Sequence, residues 1–537
     1  MALLALLAAC SPISYVSDAD REVGALLAEK QSETLDGRAE WVKRPEEVSE
    51  DVPEPTETDS VSEELPDADD VTSSVDIVPP AAPPPLQIDL EQALSIAVDS
   101  AREYVTRRET LYLRGLGLTG TRFDFGPQLA ATVSHVWNKV EDTSTTGSAT
   151  SSTTAAAFSA SQLLSTGGTV RAGTTWSTTP NGTAAGERTF GSDVNFSLSQ
   201  PLLRGAGYEA SHEALTQSER DLVYELRDFE LFRQDFSIGI AQDYFNLVSR
   251  RTRLSNEERN YDNAVFDLEK AKAFRQVDRN KDEDLFLARR RAIDAENRLL
   301  EAQTDYELAV DTFRIRLGLA PSVVLEISEV EPPFVPVRLL PDSAVDVAVH
   351  NRLDLITARD VVEDRERATR IASNGLLPDV DFDLDYARSN SNPTSDGYDT
   401  YNAAAGFSVE IPLQRTRERN TYRASLISLD RERRDYQLLI ENTERDVRDR
   451  LRTLGRIEQQ IELQRDNIAQ EQRAVAVTEI RYEAGDAENR DLLDARQALI
   501  DAQNELIDLK VEHYISRLRL LRELGLLFID DVGRMST

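Results

Sequence analysis

A long stretch without a helix breaker constrains this chain more than any other feature. From about residue 421 to 484 the sequence contains no proline and one glycine, Gly455. Apolar residues recur there at spacings of three, four and seven, which mark one face of an α-helix. They are Tyr422, Leu426, Leu429, Tyr436, Ile440, Val447, Leu451 and Leu454. At about 1.5 Å per residue, this helix would be roughly 100 Å long.

The chain reverses after this helix. Segment 481–495 reads RYEAGDAENRDLLDA, and Gly485 is its natural turning point. Downstream, apolar residues continue the same alternation up to Leu524, where Gly525 ends the helix. They are Leu492, Ala495, Leu499, Ala502, Leu506, Leu509 and Leu520. Such a hairpin has too little core of its own, so it must pack against copies or partners.

An internal duplication organises the chain from residue 86 to 526. Matching segments are 93–98 with 344–349, 196–202 with 407–413, 284–289 with 491–496, and 317–319 with 524–526. Each half predicts a helix, strands, a very long helix, a turn and a return helix. The predicted domains are a first repeat over 86–317, a connector over 318–341, a second repeat over 342–526 and a tail over 527–537.

The segments between these helices alternate apolar and polar residues, as half-buried strands do. In 380–386 the apolar residues face one way and three aspartates the other. Strands of about ten residues with aromatic residues near their ends suit a membrane barrel that has lipid outside and water inside. Four or so strands cannot close a barrel alone, so several chains would have to pool their strands.

The first half contains one additional candidate hairpin without a counterpart in the second half. Its strands are predicted at about 158–164 and 169–177, around Gly167 and Gly168. The sequence leaves two interpretations open: an external loop, or additional barrel strands.

The N-terminal segment 1–10 ends in Leu7, Ala8, Ala9 and Cys10, the only cysteine of the chain. A short apolar run of this kind resembles a bacterial lipobox and predicts lipid attachment at Cys10, although no Lys or Arg precedes it. The alternative is a chance apolar N terminus with a thiol. Residues 11–85 are acidic and contain many prolines, so they are predicted to be a disordered linker.

Composition excludes several classes of function. A formal net charge of −35 over 537 residues argues against nucleic acid as a partner, because phosphate binding requires clustered Lys and Arg. A single cysteine excludes an intrachain disulfide and a Cys-based metal cluster. The four histidines are far apart, and His513 lies on the apolar stripe of its helix, where a packing role is expected. We therefore expect neither an enzyme nor a cofactor or metal site.

The lipobox, acidic tether, two repeats, barrel-type strands and long hairpins together resemble the TolC family of outer-membrane efflux proteins over about residues 86–526. The most specific local matches are Tyr482-x-x-Gly485 with Asp491-x-x-Asp494, and the segment QPLLRG at 200–205. The resemblance implies a mainly α fold with membrane β-strands. Long helical hairpins would form a periplasmic tunnel, and the strands would pool into a trimeric outer-membrane β-barrel.

The resemblance also implies a function and partners. The chain would be a passive exit duct of a tripartite efflux or type I secretion system, gated at the helical tip. A periplasmic adaptor and an inner-membrane transporter would be its protein partners, and the homotrimer would contact outer-membrane lipid.

Three acidic residues are assigned to the tip aperture by the same resemblance. Asp491 and Asp494 occupy the positions of paired aspartates that line the narrowest point, and Asp284 is the first-repeat counterpart of Asp491. A ring of carboxylates in a constriction favours cations. The alternative is that these acids only stabilise a helix N terminus through its dipole.

The turn itself carries the other assigned residues. Tyr482 matches a tyrosine that helps to keep the tip closed, and Arg481, Gly485 and Asp486 fall in the adaptor-facing turn. Ala487 stands where better-known members carry a basic gating residue.

A lipid-anchored periplasmic adaptor or coiled-coil scaffold is the alternative function. Adaptors carry one hairpin flanked by a lipoyl-like β-domain, whereas this sequence predicts two hairpins and strands of membrane length. A soluble, extended helical structural protein is a third interpretation, and it leaves the aspartate-lined strand face of 380–386 unexplained.

Overall fold

The structure, a computed structural model, describes residues 12–35, 86–142, 147–180, 188–276, 282–328, 330–392, 398–484, 486–487 and 489–536. The helices are α1 (Pro12–Thr34), α2 (Leu90–Ser100), α3 (Arg102–Phe125), α4 (Tyr208–Ser211), α5 (Glu213–Gln276), α6 (Asp282–Arg316), α7 (Pro341–Asn351), α8 (Leu353–Asn374), α9 (Thr416–Ala484) and α10 (Asn489–Glu523). The strands are β1 (Leu86–Ile88), β2 (Gln128–Asp142), β3 (Gly147–Leu163), β4 (Thr169–Pro180), β5 (Arg188–Pro201), β6 (Leu325–Ile327), β7 (Asp379–Asn392), β8 (Tyr398–Glu410), β9 (Phe528–Ile529) and β10 (Met535–Ser536).

Two compact units contain these elements. The sheet unit comprises Leu111–Arg227, Asp354–Glu441 and the residues up to Leu26. The helical unit comprises Leu27–Thr110, Asp228–Leu353 and Asn442–Thr537.

The predicted long helices are present in both halves of the chain. Helix α9 has 69 residues and its return helix α10 has 35. In the first half, α5 has 64 residues and α6 has 35. The near-equal lengths fit an internal duplication, and the mainly helical fold class is confirmed. No helix in the described ranges is long and apolar enough to cross a membrane.

The predicted apolar stripe forms the core of the helical unit. Val447 and Leu454 of α9 pack with Leu520 and Leu524 at the end of α10, against Ala344 and Ala348 of α7. A second cluster consists of Ile457, Ile461 and Leu509, with Phe334 packed against it. The alanines keep α7 close to the hairpin because their side chains are small.

Both repeats end their return helix in the same way. Gly318 and Gly525 both have a positive φ. The residue after each glycine donates a backbone hydrogen bond into the last turn of the helix: Leu319 to the Arg314 carbonyl, and Leu526 to the Leu521 carbonyl. A Cβ on Gly318 would overlap the carbonyl oxygen of Ser100, and one on Gly525 would lie 2.7 Å from that of Asn351. These carbonyls belong to the ends of α2 and α7, so the duplication extends to a detail of packing.

Neither of these two glycines should tolerate a side chain. Replacing Gly318 or Gly525 by alanine should lower the free energy of unfolding by about 1–2 kcal/mol or more, because a positive φ and a backbone overlap both oppose a Cβ. Gly455→Ala is the matched control: it lies within α9 with open space around its Cα. The Gly455→Ala variant should have a free energy of unfolding roughly 0.5–1 kcal/mol higher than that of the wild type. Denaturant unfolding would measure all three, and equal effects would contradict the assignment.

The connector 318–341 joins this core through a buried histidine. His513 of α10 is fully buried and lies 3.4 Å from the Glu458 carboxylate. Its ring packs against that of Phe334, with 4.6 Å between the ring centroids and a tilt of 40° between the planes. Glu458 also accepts a hydrogen bond of 2.9 Å from the backbone N–H of Val337. The packing role expected for His513 is confirmed. Burial lowers the pKa of His513, an effect that Glu458 opposes.

Acid should therefore destabilise the protein through His513. The pKa of His513 is lower in the folded chain than its ordinary value of 6.5, so below pH 6.5 the unfolded chain binds a proton more readily than the folded chain. The stability that neutral His513 contributes is therefore fully present above pH 6.5 and is lost as the pH falls. The unfolding temperature of the wild type should fall more between pH 7 and 5 than that of His513→Gln. An equal fall in the unfolding temperature of the wild type and of His513→Gln over this pH range would refute this role.

The sheet unit contains one six-stranded antiparallel sheet in the order β2-β3-β4-β5-β7-β8. Strand β5 of the first repeat pairs with β7 of the second, from Phe190 opposite Asn392 to Pro201 opposite Asp381. The open question about the additional hairpin is thereby answered: β3 and β4 are strands of this sheet, inserted between β2 and β5.

A buried carboxylate organises the helices of the sheet unit. Asp364 of α8 pairs with Arg220 of α5 and with Arg367, the latter at 3.1 Å. The hydroxyl of Tyr224 donates a hydrogen bond of 2.6 Å to the same carboxylate. This arrangement satisfies the buried charge on several sides, as a low-dielectric environment requires.

The predicted linker over 11–85 is wrong at its start. Residues 12–34 form α1, and Val23, Leu26 and Leu27 are buried. These three residues have the i, i+3, i+4 spacing of an amphipathic helix, and the next proline after Pro12 is Pro45, so nothing in this part breaks a helix. Residues 36–85, and Cys10, lie outside the described residues.

Candidate functional site

The tip of the second hairpin carries most of the predicted site residues, and all of its described contacts fall in the helical unit. Helix α9 ends at Ala484 and α10 begins at Asn489. The backbone N–H of Asp486 donates to the carbonyl of Arg481 at 2.8 Å, and the Arg481 guanidinium approaches the Asp486 carbonyl at 3.4 Å. These contacts close the turn. Gly485 lies outside the described residues.

The tip of the first hairpin is closed by an ion pair. Helix α5 ends at Gln276 and α6 begins at Asp282. The Arg275 guanidinium lies 2.6 Å from the Asp282 carboxylate across this turn. The turn residues between them, 277–281, are not among the described residues.

Asp494 is engaged by two arginines. The Arg291 guanidinium of α6 lies 2.9 Å from the Asp494 carboxylate, and Arg490, one turn earlier in α10, lies at 3.6 Å. Arg291 also donates a hydrogen bond of 3.3 Å to the carbonyl of Arg490. Arg291 therefore ties the return helix of the first hairpin to the start of the return helix of the second.

The other two predicted aperture residues lie near helix starts. Asp491 is exposed in the first turn of α10, where the helix dipole favours a negative charge. Asp284 is the third residue of α6. Both positions are ones from which an aspartate can stabilise a helix N terminus, Asp491 in α10 and Asp284 in α6.

Tyr482 lies near the end of α9 and is half-buried. The Lys270 ammonium group of α5 lies 5.1 Å from the centre of its ring, the geometry of a cation–π contact. This contact joins the two long helices of the two hairpins close to their tips.

Arg496 forms a second junction between helices. Its guanidinium lies 3.1 Å from the Glu479 carboxylate of α9 and 3.7 Å from that of Asp267 in α5. Burial raises the pKa of Asp267, while the nearby Arg496 opposes that rise. One arginine of α10 thus connects three helices.

An open cavity of about 870 Å³ lies between α5, α6 and α10. Six arginines and three acidic residues contribute to its wall. They are Arg259, Arg290, Arg291, Arg298, Arg490 and Arg496, with Glu283, Asp294 and Asp494. The local balance is therefore positive, although the chain as a whole is strongly acidic.

Sequence reasoning missed the basic partners of the tip. One signal was available: Arg289, Arg290 and Arg291 form a run of three arginines in an acidic chain, and Arg289 is the repeat counterpart of Arg496. The pairings themselves join residues about 200 positions apart, such as Arg291 and Asp494. Only the packing of one hairpin on the other brings them together.

The fold of two long hairpins with a strand sheet is that of outer-membrane channels. VceC, an outer membrane protein of Vibrio cholerae, matches with a TM-score of 0.60 at 15% identity, over 81% of this chain and 96% of that one. The CmeC outer membrane channel of Campylobacter jejuni matches with 0.60 at 15% identity, over 81% and 85%. The MtrE outer membrane channel of Neisseria gonorrhoeae, in its open state, matches with 0.58 at 14%, over 81% and 89%.

A family model gives the sequence-level assignment. Residues 344–526 match the model described as outer membrane efflux protein. This region begins in α7 and continues just past α10, and the match confirms the resemblance recognised from the sequence. A search of curated proteins found no significant match.

Proposed function

We propose that this chain is the outer-membrane exit duct of a tripartite efflux or type I secretion system and that it acts as a homotrimer. One observation carries the proposal: the register of the six-stranded sheet collects large apolar side chains on a single face, which is exposed within the described part of the chain. Several of these side chains are more than half exposed. They include Leu129, Val133, Trp137, Trp176, Phe190, Tyr401, Phe407 and Val409.

Lipid is the environment in which such a face is stable. Monomeric soluble proteins rarely expose a contiguous apolar patch of this extent. Strands that alternate apolar and polar residues place lipid on one side and water on the other. The opposite face carries Asp381, Asp383 and Asp385 of β7, in line with a water-filled interior.

The alternative of a periplasmic adaptor or scaffold gives no role to this face. An adaptor would need one hairpin, whereas the described residues contain two of nearly equal length. In the proposal the protein resides in the outer membrane and extends into the periplasm, with a lipid on Cys10 as an additional anchor. An adaptor would contact the turn formed by Arg481, Gly485 and Asp486.

Extraction behaviour and mass test the proposal. Outer membranes would be washed with carbonate and then solubilised in mild detergent, and the mass of the protein would be determined. A trimer released only by detergent is expected. A monomer released by carbonate would overturn the exit duct and favour the anchored adaptor or scaffold.

Gating, in this proposal, uses the contacts between the two hairpins. Arg291 with Asp494, Lys270 with Tyr482, and Arg496 with Asp267 each join a helix of one hairpin to a helix of the other. These helices must separate if the tip opens. Exposed ion pairs contribute about 0–1 kcal/mol each, and the Asp494 side chain is 63% exposed. A latch made of such contacts holds the tip closed, yet a docking partner can release it.

Arg291 is proposed as the basic latch residue that Ala487 does not supply. Arg291→Ala should raise the open probability in planar bilayers by about fivefold at most per chain, the factor for a contact of up to about 1 kcal/mol. Arg490→Ala is the matched control, because it removes a partner of Asp494 on the same helix without separating two helices. Equal effects of the two variants would show that charge alone, not the link between helices, matters.

Asp491 and Asp494 are proposed to act at the aperture. Replacing both by alanine should raise single-channel conductance or reduce cation preference, because carboxylates in a constriction attract cations. Arg291→Ala, which removes a positive charge, should shift selectivity in the opposite direction. Unchanged current and selectivity in the double variant would place the constriction elsewhere.

A further inference from the structure

The additional hairpin of the first repeat is a full part of the sheet. Strand β3 pairs with β2 from Gln128 opposite Ser161 to Asp142 opposite Gly147. Strand β4 pairs with β5 from Thr169 opposite Ser199 to Pro180 opposite Arg188. The hairpin therefore separates β2 from β5 and widens the sheet by two strands.

The turn of this hairpin is fastened to the end of β5. The backbone N–H of Gly207 donates to the Thr166 carbonyl at 2.8 Å, and the Thr166 hydroxyl donates to the Gln200 side chain at 2.6 Å. Gly167 has a φ of +90°, and a Cβ there would lie 2.5 Å from the Gly205 carbonyl. The contacted segment 200–207 contains the strand-to-helix junction QPLLRG, so the hairpin is anchored where the sheet meets the helices.

The hairpin also follows the two-faced pattern of the other strands. Through the register, Val133 of β2 lies opposite Ala156, and Ala156 lies opposite Trp176. These residues share the apolar face with those of β5, β7 and β8. The other face of the hairpin carries mainly small or polar side chains. Among them are Thr153, Ser159, Ser161, Gly173, Thr175 and Ser177.

Both edges of the sheet are long strands. Within the described part of the chain, β2 and β8 each have a neighbouring strand on one side only. They have 15 and 13 residues, and the apolar face continues to both edges, where Leu129 and Phe407 are exposed. Unpaired backbone groups are very costly in lipid. A second copy of the chain is the occupant that satisfies both edges at once.

Strand direction supports this occupant. Because six strands alternate in direction, β2 and β8 run antiparallel to each other. Rotation about an axis roughly along the strands keeps these directions. It therefore brings β8 of one copy antiparallel to β2 of the next and leaves all apolar faces outward. An odd number of strands per chain would bring parallel edges together.

We propose that each chain contributes all six strands to a shared ring, so that the trimer closes an eighteen-stranded barrel through pairing of β8 with β2 of the next copy. This inference rests on the proposed function. Two strands per repeat would give twelve strands in a trimer. Since barrel diameter grows roughly linearly with strand number, the ring is about 1.5 times wider. Barrels of this size leave an aqueous channel, so the pore accommodates hydrophilic cargo of larger cross-section.

The number of strands in the barrel of the trimer tests this inference. The full chain would be extracted in mild detergent, its mass determined, and the particle imaged by electron microscopy along its symmetry axis. A trimer with eighteen strands is expected. A trimer with twelve strands, with β3 and β4 outside the ring, would overturn this inference and leave the proposed function intact. A particle that is not a trimer would overturn the proposed function as well.

Two single proline substitutions at neighbouring positions of β2 test independently whether its outer edge is paired. Neighbouring N–H groups in a strand point to opposite sides, so one of Val133→Pro and Ser134→Pro removes a donor toward β3 and the other removes a donor at the outer edge. Proline is tolerated on an edge whose N–H faces no partner. If β8 of another copy occupies the edge, both variants should lower the yield of trimer, by about tenfold or more. Loss in only one of them would show that the edge is unoccupied.

Discussion

The uncovered apolar face of the six-stranded sheet is the constraint on which the sheet unit depends. The register places most of the large apolar side chains of the sheet on one side, among them Leu129, Trp176 and Phe407. In water this face would favour aggregation, and in lipid it is the stable surface. Strands β3 and β4 extend this face with Phe158, Val170 and Trp176.

In the helical unit the corresponding constraint is the close approach of repeated elements. Gly318 and Gly525 occupy equivalent positions, each against the carbonyl at the end of a short helix. Ala344 and Ala348 are small for the same reason, since α7 packs directly on the hairpin core. The duplication is therefore preserved in the residues that control distance, whereas the exposed faces have diverged. The tips show this divergence, because the first lacks the tyrosine and glycine of the second.

The residues around the cavity near the hairpin tips are mainly basic, although the chain as a whole is acidic. A net charge of −35 suggests an acidic surface everywhere, yet six arginines lie around one cavity near the hairpin ends. Several of these arginines bridge helices instead of pairing within one helix. Contacts of this kind are individually weak in water, and their value lies in the geometry that they impose.

The amino-acid sequence by itself determined the helices, the turn at 481–495, the duplication and the alternation of the strands, because these follow from local periodicity and from glycine and proline. It also predicted correctly that His513 packs in the core. It did not reveal α1, whose apolar signal is short. The tertiary structure alone decided that β3 and β4 join the sheet and that Arg291 meets Asp494. Strand pairing and contacts between hairpins depend on long-range register, which no local pattern of residues contains.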